Sequence, residues 1–95
     1  MIEVTNGMVM NSKALVTFDG KTVRIKRGTF GRTEVRIPVS RITQVGWSRR
    51  VISQPNHIEF VAAGVDGTVK FRHGHLKEFE QLRDAVENAM TVVSQ

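Results

Sequence analysis

The 95-residue sequence contains no cysteine and no tyrosine. The absence of cysteine excludes disulfides and thiolate catalysis, and it removes the usual ligands of a structural zinc site. No stretch approaches the ~18 consecutive apolar residues that a membrane-spanning helix requires. The first six residues also lack the basic start and the apolar run of a signal peptide. These absences predict a cytoplasmic location, a reducing compartment in which a cysteine-free chain is at no disadvantage.

Recognisable catalytic motifs are also missing. No serine lies in a Gly-x-Ser-x-Gly elbow, and Asp19 and Asp66 each precede a glycine in a predicted turn. Glu34 and Glu59 point outward from predicted strands, so no pair of carboxylates is held in the buried setting that acid–base catalysis needs. The sequence therefore predicts a protein that is not an enzyme, with no small-molecule substrate and no cofactor.

The three histidines are the remaining candidates for chemistry. His73-Gly74-His75, together with His57, supplies enough imidazoles for a zinc site. Strand parity places His73 on the inward face and His57 on the outward face, while His75 falls at a helix start. Because a zinc site needs convergent ligands with oriented partners, no metal site is predicted.

Charge is distributed unevenly along the chain, which has a net charge of +5. Residues 1–75 contain 12 Lys and Arg against 5 Asp and Glu, whereas residues 76–95 contain two against four. The first part therefore favours an anionic partner, which is a nucleic acid, a membrane surface or an acidic protein.

Segments of alternating apolar and polar residues, separated by turn signals, predict strands from about residue 8 to about residue 73. Asp19-Gly20 is a strong hairpin signal, and Pro38 predicts that its strand ends there or lies at a sheet edge. One long strand is predicted from Ile42 to about Val51. Six strands are expected, and Val9 marks a further candidate. Their inward residues are Ala14, Val16, Phe18, Val23, Ile25, Val35, Ile37, Val39, Val45, Trp47, Ile58, Phe60, Ala62, Val69 and Phe71.

The apolar period changes to that of a helix at about residue 75 and continues to about residue 93. The apolar stripe comprises Leu76, Phe79, Leu82, Val86, Met90 and Val93. Arg83 lies at the edge of this stripe, where Glu80 and Glu87 are expected to hold it. Strands followed by one amphipathic helix predict a single domain over residues 1–95. The expected class is α+β, mainly β, with a strongly bent antiparallel sheet or partly open barrel that the helix caps.

Several short patterns resemble the bacterial pleckstrin-homology-like (PH-like) domains, particularly the short actinobacterial and phage type. The matching residues are Val16-Thr17-Phe18-Asp19-Gly20, Val23-Arg24-Ile25, Ile37-Pro38-Val39, Ile42, Val45, Trp47 and the helix from Leu76. The resemblance implies a non-catalytic binding or oligomerisation module. It also implies phosphoinositide binding around the first hairpin, where Lys21, Arg24 and Lys26 match loosely. Asp19-Gly20 is too short a turn to wrap such a headgroup, so this function is not expected.

A basic outer face is the main candidate for partner binding. If the loop at residues 28–32 is symmetric, Val23 pairs with Ile37 and Arg24 with Arg36, and the two arginines repel each other across the strands. An acidic partner would relieve this repulsion. The predicted charged contacts are Arg24, Arg27, Arg32, Arg36, Arg49 and Arg50.

Outward apolar residues suggest that the partner is a protein. Leu15, Val51 and Ile52 are predicted to be the apolar contacts, and an open sheet edge would add backbone donors and acceptors. The expected partner is therefore an acidic protein or a second copy of the chain. If the protein is phage-borne, the acidic protein would be a component of the host. The alternative is a nucleic-acid-binding protein that uses the same basic face, although the outward positions lack aromatic residues for base stacking. An anionic membrane surface ranks third.

Overall fold

The computed structural model describes residues 1–9, 12–28, 33–48 and 56–93. These described residues form seven strands, two short 3₁₀ helices (Val39–Arg41 and His73–His75) and one α-helix. The strands and the helix are β1 (Ile2–Val9), β2 (Ser12–Phe18), β3 (Thr22–Arg27), β4 (Thr33–Pro38), β5 (Gln44–Ser48), β6 (Asn56–Val61), β7 (Thr68–Phe71) and α1 (Leu76–Val93).

All seven strands belong to one antiparallel sheet with the order β4-β3-β2-β1-β7-β6-β5. Over the described strands the sheet does not close, because β4 and β5 lie at its two ends and are not paired with each other. Only Gly7 and Met8 of β1 pair with β7, so the two halves of the sheet are joined along a short seam. This arrangement confirms the predicted antiparallel sheet that remains partly open.

The β3–β4 hairpin has the register that the sequence predicts. Val23 pairs with Ile37, and Ile25 pairs with Val35. Val23, Ile25 and Ile37 are buried, and Val35 packs against the core. Pro38 ends β4, which is an edge strand, in agreement with the missing N–H group of proline.

Strand β1 begins at Ile2, before the expected start of the sheet at about residue 8. The alternation of buried and exposed residues in β1 is interrupted, because the register with β2 shifts between Val4 and Gly7. Both residues are buried although they lie three positions apart, an odd spacing that would place them on opposite faces of a regular strand. A bulge of this kind breaks the period of two that identifies a strand. Because β1 comes first, the Asp19-Gly20 turn is the second hairpin of the sheet and not the first.

Strand β5 begins at Gln44, two residues after the predicted start at Ile42. After Pro38 the chain makes a 3₁₀ turn in which the Ile42 N–H donates to the carbonyl of Val39 at 3.0 Å. This turn buries Ile42 before the sheet resumes at Gln44. Residues 49–55 lie outside the described part of the chain.

Helix α1 covers one side of the bent sheet, as the apolar stripe predicts. Phe79, Leu82 and Val86 are fully buried. The Phe79 ring stacks on Phe71 of β7, with ring centroids 4.2 Å apart and an interplanar angle of 7°. The rest of the core comes from the inward residues of the strands, so sheet and helix share a single interior.

Candidate binding surface

The outer face of β3 and β4 brings two like charges together as predicted. Arg24 lies opposite Arg36 in the register, and Lys26 lies opposite Glu34. Arg36 donates from Nη2 to Oε2 of Glu34 at 3.2 Å, and its side chain is 65% exposed. Glu34 therefore neutralises part of the charge of Arg36 from within the same strand. This pair is exposed on the arginine side and contributes little to stability.

Arg24 differs from Arg36 because its side chain is partly buried. Its Nε atom is buried and has no hydrogen-bond partner among the residues that the structure describes. A buried donor without a partner is energetically costly, and the cost is larger for a charged group. Arg24 therefore keeps its Nε beneath the surface of this face, whereas the side chain of Arg36 is exposed.

The turn before β3 places a carboxylate near Arg24. The N–H groups of Lys21 and Thr22 donate to Oδ1 of Asp19 at 2.9 and 2.8 Å. The hydrogen bond from Lys21, followed by that from Thr22, lowers the pKa of Asp19, and the charge of Arg24 acts in the same direction. Asp19 is therefore held ionised by its own turn, and it reduces the positive potential at this end of the face.

Arg27 does not lie on the same face as Arg24. It pairs with Ala14, which is buried, and with Thr33, so it follows the inward parity of Val23 and Ile25 at the end of β3. Strand parity thus separates Arg27 from the face of Arg24, and its role as a charged contact of the partner stays a prediction. Arg27 lines a cavity at the open end of the sheet beside Glu34 and Asp66.

Leu15 is half-buried and lies opposite Lys26 in the register of β2 and β3. Thus an apolar side chain does lie within the charged outer face. The other predicted contacts, Arg32, Arg49, Arg50, Val51 and Ile52, lie outside the described residues.

A basic row that sequence reasoning missed crosses the middle of the sheet. Met8 of β1 lies between Lys13 of β2 and Lys70 of β7, and Lys70 lies opposite His57 of β6. Two pairs of consecutive strands, one from each end of the chain, thus place two lysines and a histidine on one line, with Met8 between Lys13 and Lys70. The row forms only because β1 pairs with β7. The bulge in β1 hides this pairing from the pattern of the sequence.

Trp47 and Arg83 form a structural contact. The Trp47 ring packs against Phe71 with centroids 5.4 Å apart, and the guanidinium carbon of Arg83 lies 4.6 Å from the centroid of the Trp47 ring. Arg83 also pairs with Asp84 at 3.1 Å. The prediction that Glu80 and Glu87 hold Arg83 is wrong, because the indole ring draws the guanidinium to the side of β5.

The histidines lie on two separate elements of the structure. Within the described residues, no group of three or more His, Asp or Glu side chains is placed to hold a metal ion. His57 lies on β6, and His75 lies in the 3₁₀ turn before α1.

Comparison with known proteins identifies the class of the fold. The family model of the bacterial PH domain matches residues 8–90, so the chain belongs to this family. No curated protein and no solved structure shows significant similarity to it. Membership supports a binding module in general and leaves the partner open. In the described part of the chain, no helix combines the length and apolar character needed to cross a bilayer.

Proposed function

We propose that this PH domain is a non-catalytic, cytoplasmic module that binds an acidic protein surface through the outer face of β2, β3 and β4. The observation that carries the proposal is the Arg24–Arg36 pair, in which two cationic side chains lie opposite each other across β3 and β4. A carboxylate of the partner would accept from Arg24 and lower the repulsion between the two guanidinium groups.

Leu15 supports a protein as the partner. It lies in the outer face next to Lys26, so an acidic surface with an apolar centre would cover the half-buried leucine and contact the cations around it. Interfaces of this kind combine an apolar centre with a polar rim. The charged rim sets the partner and the rate of association more than the affinity.

The test compares the intact protein with Arg24→Glu/Arg36→Glu in a pull-down from the native lysate, with quantitative mass spectrometry. The control is Arg41→Glu/Lys77→Glu, which makes the same charge change at two exposed residues away from the face. We expect the first variant alone to lose a specific acidic protein. Equal loss with both variants would reduce the proposal to non-specific charge attraction.

Self-association is part of the same proposal. The edge strands β4 and β5 are unpaired on one side, and the exposed side of α1 carries Glu78, Asp84 and Glu87. A second copy could thus present an acidic helix to the basic face. Light scattering at low and high salt tests this: we expect concentration-dependent dimers that dissociate when salt screens the charges. A monomer at high micromolar concentration in low salt contradicts it.

The alternative is nucleic-acid binding, which the row of Lys13, Lys70 and His57 favours. Neighbouring strands lie about 4.8 Å apart, so this row extends for roughly 14 Å over four strands and could follow a phosphate backbone. Among the described aromatic residues, all the phenylalanines are buried and Trp47 is engaged by Arg83. Binding would therefore depend on phosphate contacts, and a mobility-shift series should show affinity falling steeply with salt. Absence of binding at low salt excludes this alternative.

A further inference from the structure

Strand β4 has one edge that no described strand pairs with. The N–H of Val39 donates to the carbonyl of Lys21 at 2.8 Å, so these two residues form a hydrogen-bonded pair in the register that continues along β3 and β4. Hydrogen-bonded and non-hydrogen-bonded pairs alternate in an antiparallel ladder. Pro38, Arg36 and Glu34 therefore belong to the non-hydrogen-bonded pairs, and their backbone groups point away from β3.

Pro38 agrees with this assignment, because proline has no N–H group to donate to the ladder. The free edge of β4 thus offers a donor and an acceptor at both Glu34 and Arg36, but only an acceptor at Pro38. The side chains of Glu34 and Arg36 form an ion pair at 3.2 Å. One short segment therefore combines free backbone groups with charges of both signs.

We propose that β4 pairs with β4 of a second copy in an antiparallel dimer with two-fold symmetry. The possible registers set Glu34 against Glu34, Arg36 against Arg36, or Glu34 against Arg36 of the second copy. The first two are unfavourable, because they place like charges directly opposite each other. The second also sets Glu34 against Pro38, which has no N–H group to donate. The third register joins opposite charges, and the proposal commits to it.

In this register the two-fold axis passes beside Val35. Each pair of Glu34 with Arg36 of the second copy exchanges two backbone hydrogen bonds. On the outer face the charges alternate around the axis, because each Glu34 lies between Arg36 of its own strand and Arg36 of the second copy. On the other face the half-buried Val35 side chains of the two copies meet and lose exposure to water, which stabilises the dimer.

The pairing also relieves the repulsion within the β3–β4 hairpin. Arg36 lies opposite Arg24 of β3, and in the dimer it gains Glu34 of the second copy on its other side. A second carboxylate then lies beside the two arginines. The inference rests on the self-association proposed above, and it names Glu34 of the second copy, in place of the acidic side of α1, as the group that the basic face meets.

Strand β5, at the other end of the described sheet, gives no such choice of register. Its segment Gln44–Ser48 contains no charged residue, so neither attraction nor repulsion between charges distinguishes one register from another. Charge complementarity therefore favours β4 as the edge that joins two copies.

The test is analytical ultracentrifugation of the full chain and of two single variants. Glu34→Arg sets an arginine against Arg36 of the second copy, and Arg36→Glu sets a glutamate against Glu34. We expect a concentration-dependent dimer for the parent protein. Each variant should raise the dissociation constant by at least about tenfold, because two attractive pairs become repulsive. The matched control is Arg41→Glu, an exposed residue outside β4, which should dimerise like the parent.

Mixing the two variants restores opposite charges without restoring the parent sequence. Glu34→Arg has two cations at the edge and Arg36→Glu has two anions, so an equimolar mixture should form a heterodimer although each variant alone is monomeric. Recovery in the mixture also shows that both variants are folded. If both variants melt like the parent and the mixture stays monomeric, the proposal is overturned.

Amide hydrogen exchange followed by NMR locates the contact. The N–H groups of Glu34 and Arg36 should exchange more slowly at concentrations that form the dimer, because they gain an acceptor. The N–H of Val35 faces β3 and should change little. Unchanged exchange at Glu34 and Arg36 in the dimer would contradict the pairing.

One further comparison separates this dimer from the dimer with α1 on the basic face. That dimer should be strengthened by Glu34→Arg, which makes the face more basic, and weakened by Glu78→Lys/Glu87→Lys. Such behaviour overturns the β4 pairing and leaves self-association in place. A parent protein that stays monomeric at high micromolar concentration overturns both dimers. The proposal for an acidic protein partner is then still decided by its own test with Arg24→Glu/Arg36→Glu.

Discussion

Gly7 gives the most direct test of how β1 lies against the helix. A methyl group on its Cα would lie 2.7 Å from Cγ1 of Val69 and 3.3 Å from Cζ of Phe79. Both neighbours are fully buried, and the Phe79 ring is stacked on Phe71. Neither side chain has room to move away. Gly7→Ala must therefore displace the strand or the helix.

The expected loss of stability follows from two opposing terms. Forcing an extra methyl group into a packed core costs about 1–3 kcal/mol. Alanine also restricts the unfolded chain, which stabilises the folded state by about 0.4–1 kcal/mol. The net free energy of unfolding should fall by about 1–2 kcal/mol. For a domain of this size, each kcal/mol shifts Tm by about 4–8 °C, so the melting temperature should fall by about 5–15 °C.

The assay is thermal unfolding followed by circular dichroism, with Gly46→Ala as the matched control. Gly46 also lies in a strand, but a Cβ there would meet Cβ of Glu59 at 3.5 Å, an ordinary contact. The Tm of Gly46→Ala should equal that of the parent protein or be slightly higher. A second check is Gly7→Ala/Val69→Ala, which removes the Cγ1 atom and should be less destabilised than the sum of the single variants. Equal behaviour of Gly7→Ala and Gly46→Ala would refute the packing of Phe79 over β1.

Three further predictions concern the helix and the second hairpin. Leu82→Ala should lower the free energy of unfolding in urea by about 3 kcal/mol, because its side chain is fully buried; a loss below about 1 kcal/mol would place the helix away from the sheet. Arg83→Ala should lower the free energy of unfolding by about 1 kcal/mol, because the contact with Trp47 is lost. Lys77→Ala, at an exposed residue of the same helix, should leave it almost unchanged. Equal losses for the two variants would argue against the ring contact. The pKa of Asp19 is lower in the folded state than its ordinary value of 3.8, so its contribution to stability is present above that value and disappears as the pH falls through the lower folded pKa. Urea midpoints measured between neutral and acid pH should thus fall more steeply for the parent protein than for Asp19→Asn, and parallel curves would contradict the role of the turn.

The β3–β4 hairpin shows why part of the fold was predictable from the sequence. A strand with one buried face tolerates only registers that keep its apolar residues inward, and Val23 and Ile25 leave one choice opposite Ile37 and Val35. The same rule placed Arg24 opposite Arg36 on the outer face. Local alternation thus gives both the core and the charged pair without knowledge of the remaining strands.

Strand β1 shows where the same reasoning fails. Its inward positions include a glycine, which carries no apolar signal, and its bulge changes the parity between Val4 and Gly7. The row of Lys13, Lys70 and His57 depends on this strand. Pairing between the first and last strands is set by tertiary packing, which no local pattern in the sequence reports.

Arg27 and Arg83 show a second limit of sequence reasoning. Arg27 follows Lys26 in a basic run, yet strand parity turns it to the inward face at the sheet end, where it lines a cleft with Glu34 and Asp66. Arg83 has carboxylates three residues before and four after it, yet an aromatic ring from another element decides its position. Helical spacing identifies neighbours on one helix only, and exposed ion pairs between such neighbours are too weak to outweigh a partly desolvated ring contact.

The alternation of strand residues also separates the core of this domain from its charged surface. Inward residues such as Val23 and Ile25 join the core beneath α1, whereas Arg24 and Lys26, their neighbours in the chain, contribute to the outer face. Substitutions at outward positions therefore change the surface charge without opening a cavity in the core. The family match over residues 8–90 defines a fold that many outward surfaces could share. Under the proposed function, the specificity of this member lies in its outward cations, among them Arg24 and Arg36.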